Sequence, residues 1–552
     1  KKKALKYLKC AARVMESESD RKKCARAIGG GASSEEDRLS GLPDDVLHSI
    51  LGVLPLKHVV RTSALSTRWA PIWLHALAAS AVLDFTDRDF VRGQSPAQIT
   101  AIVGRVLGIH GAAPIDVLRV ALSPLNALGP DPDVVVGWIA AALGRGAREV
   151  GVDLGRRRVL DEGDGRASLL QLPADLFQVE NSLSVLGLGG CSLRHVLPGA
   201  AGLAGLASLS LDRVDVTDDA LRGVVLECRL LEYVSLRSCH LLVSVRVAGE
   251  RLRGLEIVGC LAMRDLQVAA PTLESVAFHG DILCSRDYDD VTEPVVFIGK
   301  GNTRMPSDAA TPELRDAYLS HLGFGGYDEL IHEFAYSCFL ETVAHARILT
   351  LCSVGLLHIE ETRMFYELTM DTPNLEEVQL LMDSMGDDDV TRFAGFFGLT
   401  EPPLLQRLFV RLPAARDDSH DAVEDAGRGT AATGKDADIV LDYEIALDHL
   451  TFIKVVNFHG TTRELRLLRF LLRRAPVMER LVLVTPEEEG APGDYDLQQN
   501  VSLLIKIVQE HVSEIRNAWL WQDAHVTVCR PREDESRRPV HTKYYHDDQA
   551  LT

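Results

Sequence analysis

Leu231-Glu232-Tyr233-Val234-Ser235-Leu236-Arg237-Ser238-Cys239 and Leu252-Arg253-Gly254-Leu255-Glu256-Ile257-Val258-Gly259-Cys260 follow one pattern, L-x-x-L-x-L with a cysteine three residues further on. The pattern extends outward on both sides. Leu183-x-x-Leu186-x-Leu188, ending in Cys191, and Leu206-x-x-Leu209-x-Leu211 precede it, and Leu273-x-x-Val276-x-Phe278 follows. Starts at 183, 206, 231, 252 and 273 keep the spacing between 21 and 25 residues. One L-x-x-L-x-L is unremarkable in a leucine-rich chain, but five in near-constant phase define a repeat array.

Cysteine at the fixed position after the last apolar residue is the mark of leucine-rich repeats. Each unit should place a short strand on an inner surface, its Leu positions stacking into a ladder and the intervening positions facing a concave surface. Leu209, Leu236, Leu255 and Ile257 are then core. Ser210, Asp212, Tyr233, Ser235, Arg237, Glu256, Val258 and His279 are then surface. Of these, Asp212, Tyr233, Arg237, Glu256 and His279 are the candidate target-binding residues, because a mixture of an aromatic, Arg and acids suits a binding hot spot. Weaker units lie upstream at 115–120 and 147–152, and downstream at 346–351, 375–380, 405–410, 450–455 and 478–483. Two stretches break the array. Residues 282–330 read as irregular, and 414–438, rich in Asp, Gly, Ala and Thr, as a disordered insert.

A different period governs 42–77. Leu42-Pro43-Asp44-Asp45 opens a helix with proline in the first turn and acids at the positive end of the dipole. Val46, Leu47, Ile50, Leu51 and Leu54 follow at helical spacing, and Pro55 stops the helix. A second short helix fits 57–64. A third, capped by Ser66, carries Trp69, Ile72, Trp73 and Leu74. Three short helices cannot bury much core alone, so a neighbour must complete them.

The whole chain is 552 residues with 46% apolar and 25% charged residues, which is globular composition. No apolar run is long enough to span a bilayer, and no leader-like segment opens the sequence as given, so neither a membrane anchor nor secretion is expected. The net charge of −20 argues against nucleic-acid binding. Residues 1–26 hold ten basic groups against three acidic ones. This arm is either a nuclear-localisation segment or a solvated tail. Ten dispersed cysteines with no C-x-x-C fit reduced thiols in the nucleus or cytoplasm better than disulfides or zinc.

Motifs that could carry chemistry fail on their surroundings. Gly429-x-x-x-x-Gly434-Lys435 is followed by Asp436, which would repel phosphate where a Ser or Thr should hold magnesium. His332-Glu333-x-x-Tyr336 lacks the second histidine of a zinc helix. Asp387-Asp388-Asp389 reads as a solvated loop, and Asn500-Val501-Ser502 as an unused sequon. No catalytic set, metal site or cofactor is expected.

Leu42-Pro43, Ile50-Leu51, Leu54-Pro55 and Arg61-x-Ser63-x-Leu65-Ser66-x-Arg68-Trp69, with Trp73 beyond, stand in the order and spacing of an F-box. Pro71 departs from that pattern and should tighten or kink the start of the third helix. Leu172-Pro173-x-x-Leu176-Phe177, entering the first strong repeat, is similar to the same region of plant F-box proteins with leucine-rich repeats. Residues 447–483 resemble their C-terminal FBD region through Leu450, Ile453, Val455, Phe458, Gly460, Glu464, Leu468, Phe470, Leu471, Leu472, Ala475, Pro476, Met478, Glu479 and Leu483.

The resemblance implies an α/β chain. A basic arm at 1–36 leads to a three-helix F-box at 37–78. A curved leucine-rich-repeat solenoid spans 79–440, with FBD-like repeats at 441–485 and an extension at 486–552. It implies a non-catalytic substrate adaptor of an SCF ubiquitin ligase. A Skp1-like protein, and through it a cullin and a RING protein, would bind Leu42, Pro43, Val46, Leu47, Ile50, Leu51, Leu54, Pro55, Leu65, Trp69 and Trp73, while the repeats present a target. A repeat scaffold with another helix partner and a small-molecule receptor within the ligase stay open as alternatives, with an enzyme a distant fourth.

Overall fold

The computed structural model describes residues 42–52, 54, 58–59, 62, 69–86, 95–122, 132–155, 169–173, 175–194, 201–281, 283, 296–299, 314–321, 336, 339–366, 370–386, 388–413, 445–486, 505–506, 524–539 and 541. The basic arm at 1–36, the insert at 414–438 with its Gly-rich motif, the His332-Glu333 pair and Asn500 lie outside the described residues. The chain packs as two units, Lys1–Leu231 and Glu232–Thr552.

The first unit starts with helices α1 (Asp44–Gly52) and α2 (Trp69–Ala78), which pack on each other. Pro71 falls in the first turn of α2, where its missing N–H would have had no helical partner. Proline is therefore compatible with the start of this helix. Strand β1 (Val82–Phe85), helix α3 (Pro96–His110), β2 (Val117–Ala121), α4 (Pro132–Leu143) and β3 (Glu149–Asp153) follow. Helix α3 packs on α2 and supplies the neighbour that the short N-terminal helices need. A capping box of Ser95 and Gln98 fixes its start. The unit ends with β4 (Leu170–Gln171), β5 (Val185–Gly189), β6 (Cys191–Ser192), β7 (Ser208–Asp212) and α5 (Asp218–Glu227).

Strands β1-β2-β3-β5-β7 form a parallel ladder in one register. Leu83, Leu118, Val150, Leu186 and Leu209 occupy one row and Phe85, Val120, Val152, Leu188 and Leu211 the next, all buried. The repeat therefore begins at β1, well before the five strongest sequence units. Strands β4 and β6 make a separate pair.

The second unit holds β8 (Tyr233–Arg237), β9 (Ser244–Ala248), β10 (Gly254–Val258), β11 (Asp265–Ala269), β12 (Ser275–Gly280), β13 (Val296–Gly299), β14 (Asp316–His321) and β15 (Ile348–Cys352). Then come α6 (Ser353–Tyr366), β16 (Glu377–Leu381), α7 (Asp389–Thr400), β17 (Arg407–Arg411), β18 (Phe452–Val456), α8 (Thr462–Arg474), β19 (Arg480–Val484) and β20 (His525–Cys529). Strands β8-β10-β12-β14-β15-β16-β17-β18-β19-β20 are parallel neighbours in that order. Leu209, Leu236, Leu255 and Ile257 are each at most 2% exposed, so the ladder phase is as expected.

The return limb follows the period. Strands β8, β10 and β12 start 21 residues apart, at Tyr233, Gly254 and Ser275. That leaves room for an extended segment, and β9, β11 and β13 form a second parallel sheet there. Strands β15, β16 and β17 start at 348, 377 and 407, and the longer return carries helices α6 and α7. After many strands the chain turns through a left-handed residue: Gly190 (φ 70°), Arg213 (53°), Ser238 (50°), Gly259 (68°) and Asn457 (62°). The next residue, Cys191, Val214, Cys239, Cys260 or Phe458, is buried. The Cys260 thiol donates to the Leu236 carbonyl at 3.6 Å, which ties one turn to the preceding strand.

Two expectations change, and the extension gains a structure. The stretch 282–330 contains a regular ladder strand, β14, with Leu314, Ala317 and Leu319 buried at the L-x-x-L-x-L positions, alanine disguising the pattern. Asp389 is not solvated. It is 1% exposed and accepts hydrogen bonds from Gly386 N and, at 2.7 Å, from Arg392 Nη1 beside the start of α7. The extension beyond 485 adds β20 to the sheet and then folds back over it.

Candidate functional site

The N-terminal residues expected to meet a partner fall into two sets. Leu47 and Leu51, one turn apart, are 0% and 1% exposed, and Trp69 is 3% exposed. They form the interior between α1 and its neighbours, so they support a binding face and do not form it. Burial of an apolar side chain is worth about 1.5–3 kcal/mol, and these side chains hold the short helices together. Val46 is 41% exposed and Pro43 is exposed, while Ile50, Leu42 and Leu54 are half-buried. Val46 and Ile50 are also one turn apart and give α1 a second, outward apolar stripe. Pro55 and Leu65 lie outside the described residues, as does the side chain of Trp73.

On the repeats, the residues between ladder positions meet two different fates. In the first unit they stay open. Arg119 joins Glu149 (Nε to Oε1, 2.5 Å) and Asp84 (Nη1 to Oδ2, 3.1 Å), and Arg213 joins Asp153 at 2.9 Å and Asp212 at 2.6 Å. The first strands of the second unit continue in kind. Tyr233 is 49% exposed, and its ring lies across Gly254, where a Cβ would come within 2.8 Å of ring Cδ1. Arg237 Nε donates to Glu256 Oε1 at 2.6 Å, and Ser235 Oγ donates to the same oxygen at 3.3 Å. Asp212, Tyr233, Arg237 and Glu256 are thus accessible, the last three on adjacent strands.

His279 and Val258 do not belong with them. They are 3% and 4% exposed, level with Ser320 at 4%. An apolar cluster of Ala277, Tyr318, Cys352 and Leu381 fills this side of the sheet, and His279 sits two residues from Ala277 at its edge. His279 is therefore withdrawn as a contact residue. His321, whose ring meets those of Phe278, Tyr336 and Phe339, is pushed down to about 3 by burial, with His358 and His279 nearby, so it is neutral at physiological pH.

From β14 to β19 the middle of the face is buried. Its middle row runs Tyr318, Thr350, Gln379, Phe409, Lys454 and Val482, none more than 3% exposed. The segment after β20 lies over part of it. Lys454 Nζ donates to Asp534 Oδ2 at 2.5 Å and to the Arg537 carbonyl at 3.3 Å. Arg537 Nη2 stands 3.9 Å from Glu377 Oε2. His541 bonds Thr350 Oγ1 through Nδ1 at 2.8 Å and Asp316 Oδ1 through Nε2 at 2.9 Å, with its ring 5.7 Å from that of Tyr318. Burial alone would raise the Asp534 and Asp316 carboxyls. The hydrogen bonds from Lys454 and Ser536 to Asp534, and from His541 and Ser275 to Asp316, outweigh it and hold both below the usual carboxylate value.

This C-terminal cover had no sequence signature, because it is a tertiary contact made by a charged, non-periodic stretch. The FBD-like residues, by contrast, have visible structural work. Glu464 Oε2 accepts from the backbone N–H groups of His459 (2.9 Å), Gly460 (2.6 Å) and Thr461 (3.0 Å), closing the capping box of α8. Among the described residues no three His, Cys, Asp or Glu side chains converge as a metal site, and no helix is long and apolar enough to cross a membrane. A crevice lined by Phe177, Leu186, Leu203, Leu209 and Leu221 is the apolar interior of a repeat, on the other side of the ladder from the open face.

Comparison with known proteins agrees with this division. Residues 39–75 match the F-box domain, and residues 131–293 match the leucine-rich-repeat domain described for At1g61320/AtMIF1. Three relatives from Arabidopsis thaliana are similar in sequence. F-box protein At5g03100 is 28% identical over 44% of this chain and 65% of its own length. F-box/FBD/LRR-repeat protein At2g04230 is 31% identical over 34% and 39%, and FBD-associated F-box protein At1g61320 is 26% identical over 44% and 50%. The chain thus spans less than two thirds of each relative's length. It carries an F-box and leucine-rich repeats, and resembles plant F-box proteins that combine the two; the names of its relatives fit the FBD-like C-terminal part.

Proposed function

We propose that this F-box and leucine-rich-repeat chain is a substrate adaptor of an SCF-type ubiquitin ligase, without catalysis of its own, acting in the nucleus or cytoplasm. The single observation that supports it best is the pairing of an F-box with an outward apolar stripe on α1, Val46 with Ile50, and a separate open polar face on the repeats. The stripe suits a helical groove on a Skp1-like protein, read at i and i+4. The open face suits a folded or extended target. Holding both at once raises the target's effective concentration at the ligase, and that proximity is the whole contribution required of an adaptor. In this reading the F-box covers 37–78, the repeats 79–440 and the FBD-like part 441–485.

Affinity capture tests it. The unaltered chain should co-purify a Skp1-like protein. Val46→Asp/Ile50→Asp should lose it by at least thirtyfold, about 2 kcal/mol, with an unchanged melting curve. Tyr233→Ala and Arg237→Ala should keep the Skp1-like protein while reducing target capture under proteasome inhibition. Undiminished Skp1-like capture by the double Asp variant would defeat the F-box assignment.

A further inference from the structure

The last described segment crosses the second unit's sheet against the order of the repeats. Asp534, Arg537 and His541 stand three and four residues apart, and each meets a different strand. Lys454 of β18 takes the carboxylate, Glu377 of β16 faces the guanidinium, and Asp316 of β14 with Thr350 of β15 takes the imidazole. The spacing fits the sheet. Neighbouring strands lie about 4.8 Å apart, and an extended chain advances about 3.3 Å per residue. Three residues therefore cross the two strand intervals from β18 to β16, and four residues reach β14 with slack.

The groove side is built for this. Lys454 is 2% exposed, and both of its hydrogen bonds among the described residues go to this segment. A buried ammonium without a carboxylate is strongly disfavoured. Glu377 is 0% exposed and accepts hydrogen bonds from Arg407 Nε at 2.9 Å and Gln379 Nε2 at 2.8 Å, which fix its carboxylate. Polar groups at these ladder-intervening positions would face solvent in an open repeat. Here a cation, an anion and a further carboxylate are each matched to a group of complementary charge or hydrogen-bonding type in one extended peptide.

We propose that the groove over β14–β18 is a binding site for an extended target segment bearing a carboxylate, a guanidinium three residues later and an imidazole four residues after that, and that residues 534–541 occupy it as an internal mimic. The proposal rests on the adaptor reading only for the word target; peptide recognition by the groove stands apart from F-box binding. An incoming segment of the same chemistry would displace the mimic, so targets lacking it would be confined to the open face around Tyr233 and Arg237.

The test uses the full chain and a fluorescein-labelled peptide of residues 530–541, Arg-Pro-Arg-Glu-Asp-Glu-Ser-Arg-Arg-Pro-Val-His. Fluorescence anisotropy should show at least tenfold tighter binding to Asp534→Ala/Arg537→Ala/His541→Ala than to the unaltered chain, whose own segment competes. Adding Lys454→Met to that variant should remove the gain, as should a peptide carrying Ala at its Asp534 position. Equal binding to the unaltered and triple-variant chains, or binding to neither, overturns the proposal. If the triple variant melts early, full-length Asp534→Ala replaces it under the same criterion. Capture of the Skp1-like protein, measured on the same samples, reports separately on the adaptor reading.

Discussion

Two stretches of one repeated face behave oppositely. Around Tyr233, Arg237 and Glu256 the side chains between ladder residues are accessible and pair with one another. Tyr318, Thr350, Gln379 and Lys454, which continue the row of Ser235 and Glu256 in later repeats, are buried and several pair with the C-terminal segment. The ladder beneath is equally buried in both, from Leu236 and Leu255 to Leu351 and Leu380. The comparison separates two levels of a repeat protein. The apolar positions decide that a strand joins the sheet, and what lies across the sheet decides which face remains for a partner.

The largest effect should be common to both stretches. Leu255→Ala and Leu380→Ala should each cost about 2–5 kcal/mol in denaturant unfolding, because each leaves a cavity in a close-packed ladder. A cost under about 1 kcal/mol at either would break the claim that one ladder underlies both. The next effect should separate them. Asp534→Ala leaves Lys454 buried without its carboxylate and should destabilise the second unit by about 1–3 kcal/mol, with Lys454→Met in the same chain restoring much of it. Glu256→Ala removes the partly exposed partner of Arg237 and should cost about 1 kcal/mol or less. Equal costs would mean that the cover adds nothing.

A smaller effect tests the turns. Ser238 holds φ 50° where Gly259 of the next repeat holds 68°. Ser238→Gly should stabilise, and Gly259→Ala destabilise, each by about 1 kcal/mol in thermal melts. The smallest effect is in acid. Asp534 and Asp316 have carboxyls held below their ordinary value in the folded chain, so their contribution is complete above the unfolded value near 4 and fades as pH falls through the lower folded values. Hydrogen exchange at residues 530–541 should therefore quicken, relative to β8 and β10 and after correction for the intrinsic pH dependence, only below about pH 4. Protection that is lost already between pH 7 and 5 would mean that other groups hold this segment in place.

The sequence by itself determined the repeat and its phase and the helices at Leu47 and Trp69, while the second short helix expected over 57–64 falls mostly outside the described residues. Those features are local: apolar residues recur at a period that one short strand or one helix turn dictates, as with Leu183, Leu206 and Leu231, or Leu47 and Leu51. It also placed Tyr233, Arg237 and Glu256 on the surface, since alternation along a strand assigns faces. Alternation could not say whether a face stays open, and so His279 was placed on the surface with them. It missed β14, where Ala317 stands for leucine, and the second sheet of β9, β11 and β13, whose Val245, Val247, Leu266 and Val268 alternate over only five-residue strands. Tertiary structure alone decided which of the apolar residues on α1 point inward and which outward. It also decided that a polar segment 80 residues beyond Lys454 returns to cover it. Contacts of that range depend on where the whole array carries the chain end, and no local period encodes them.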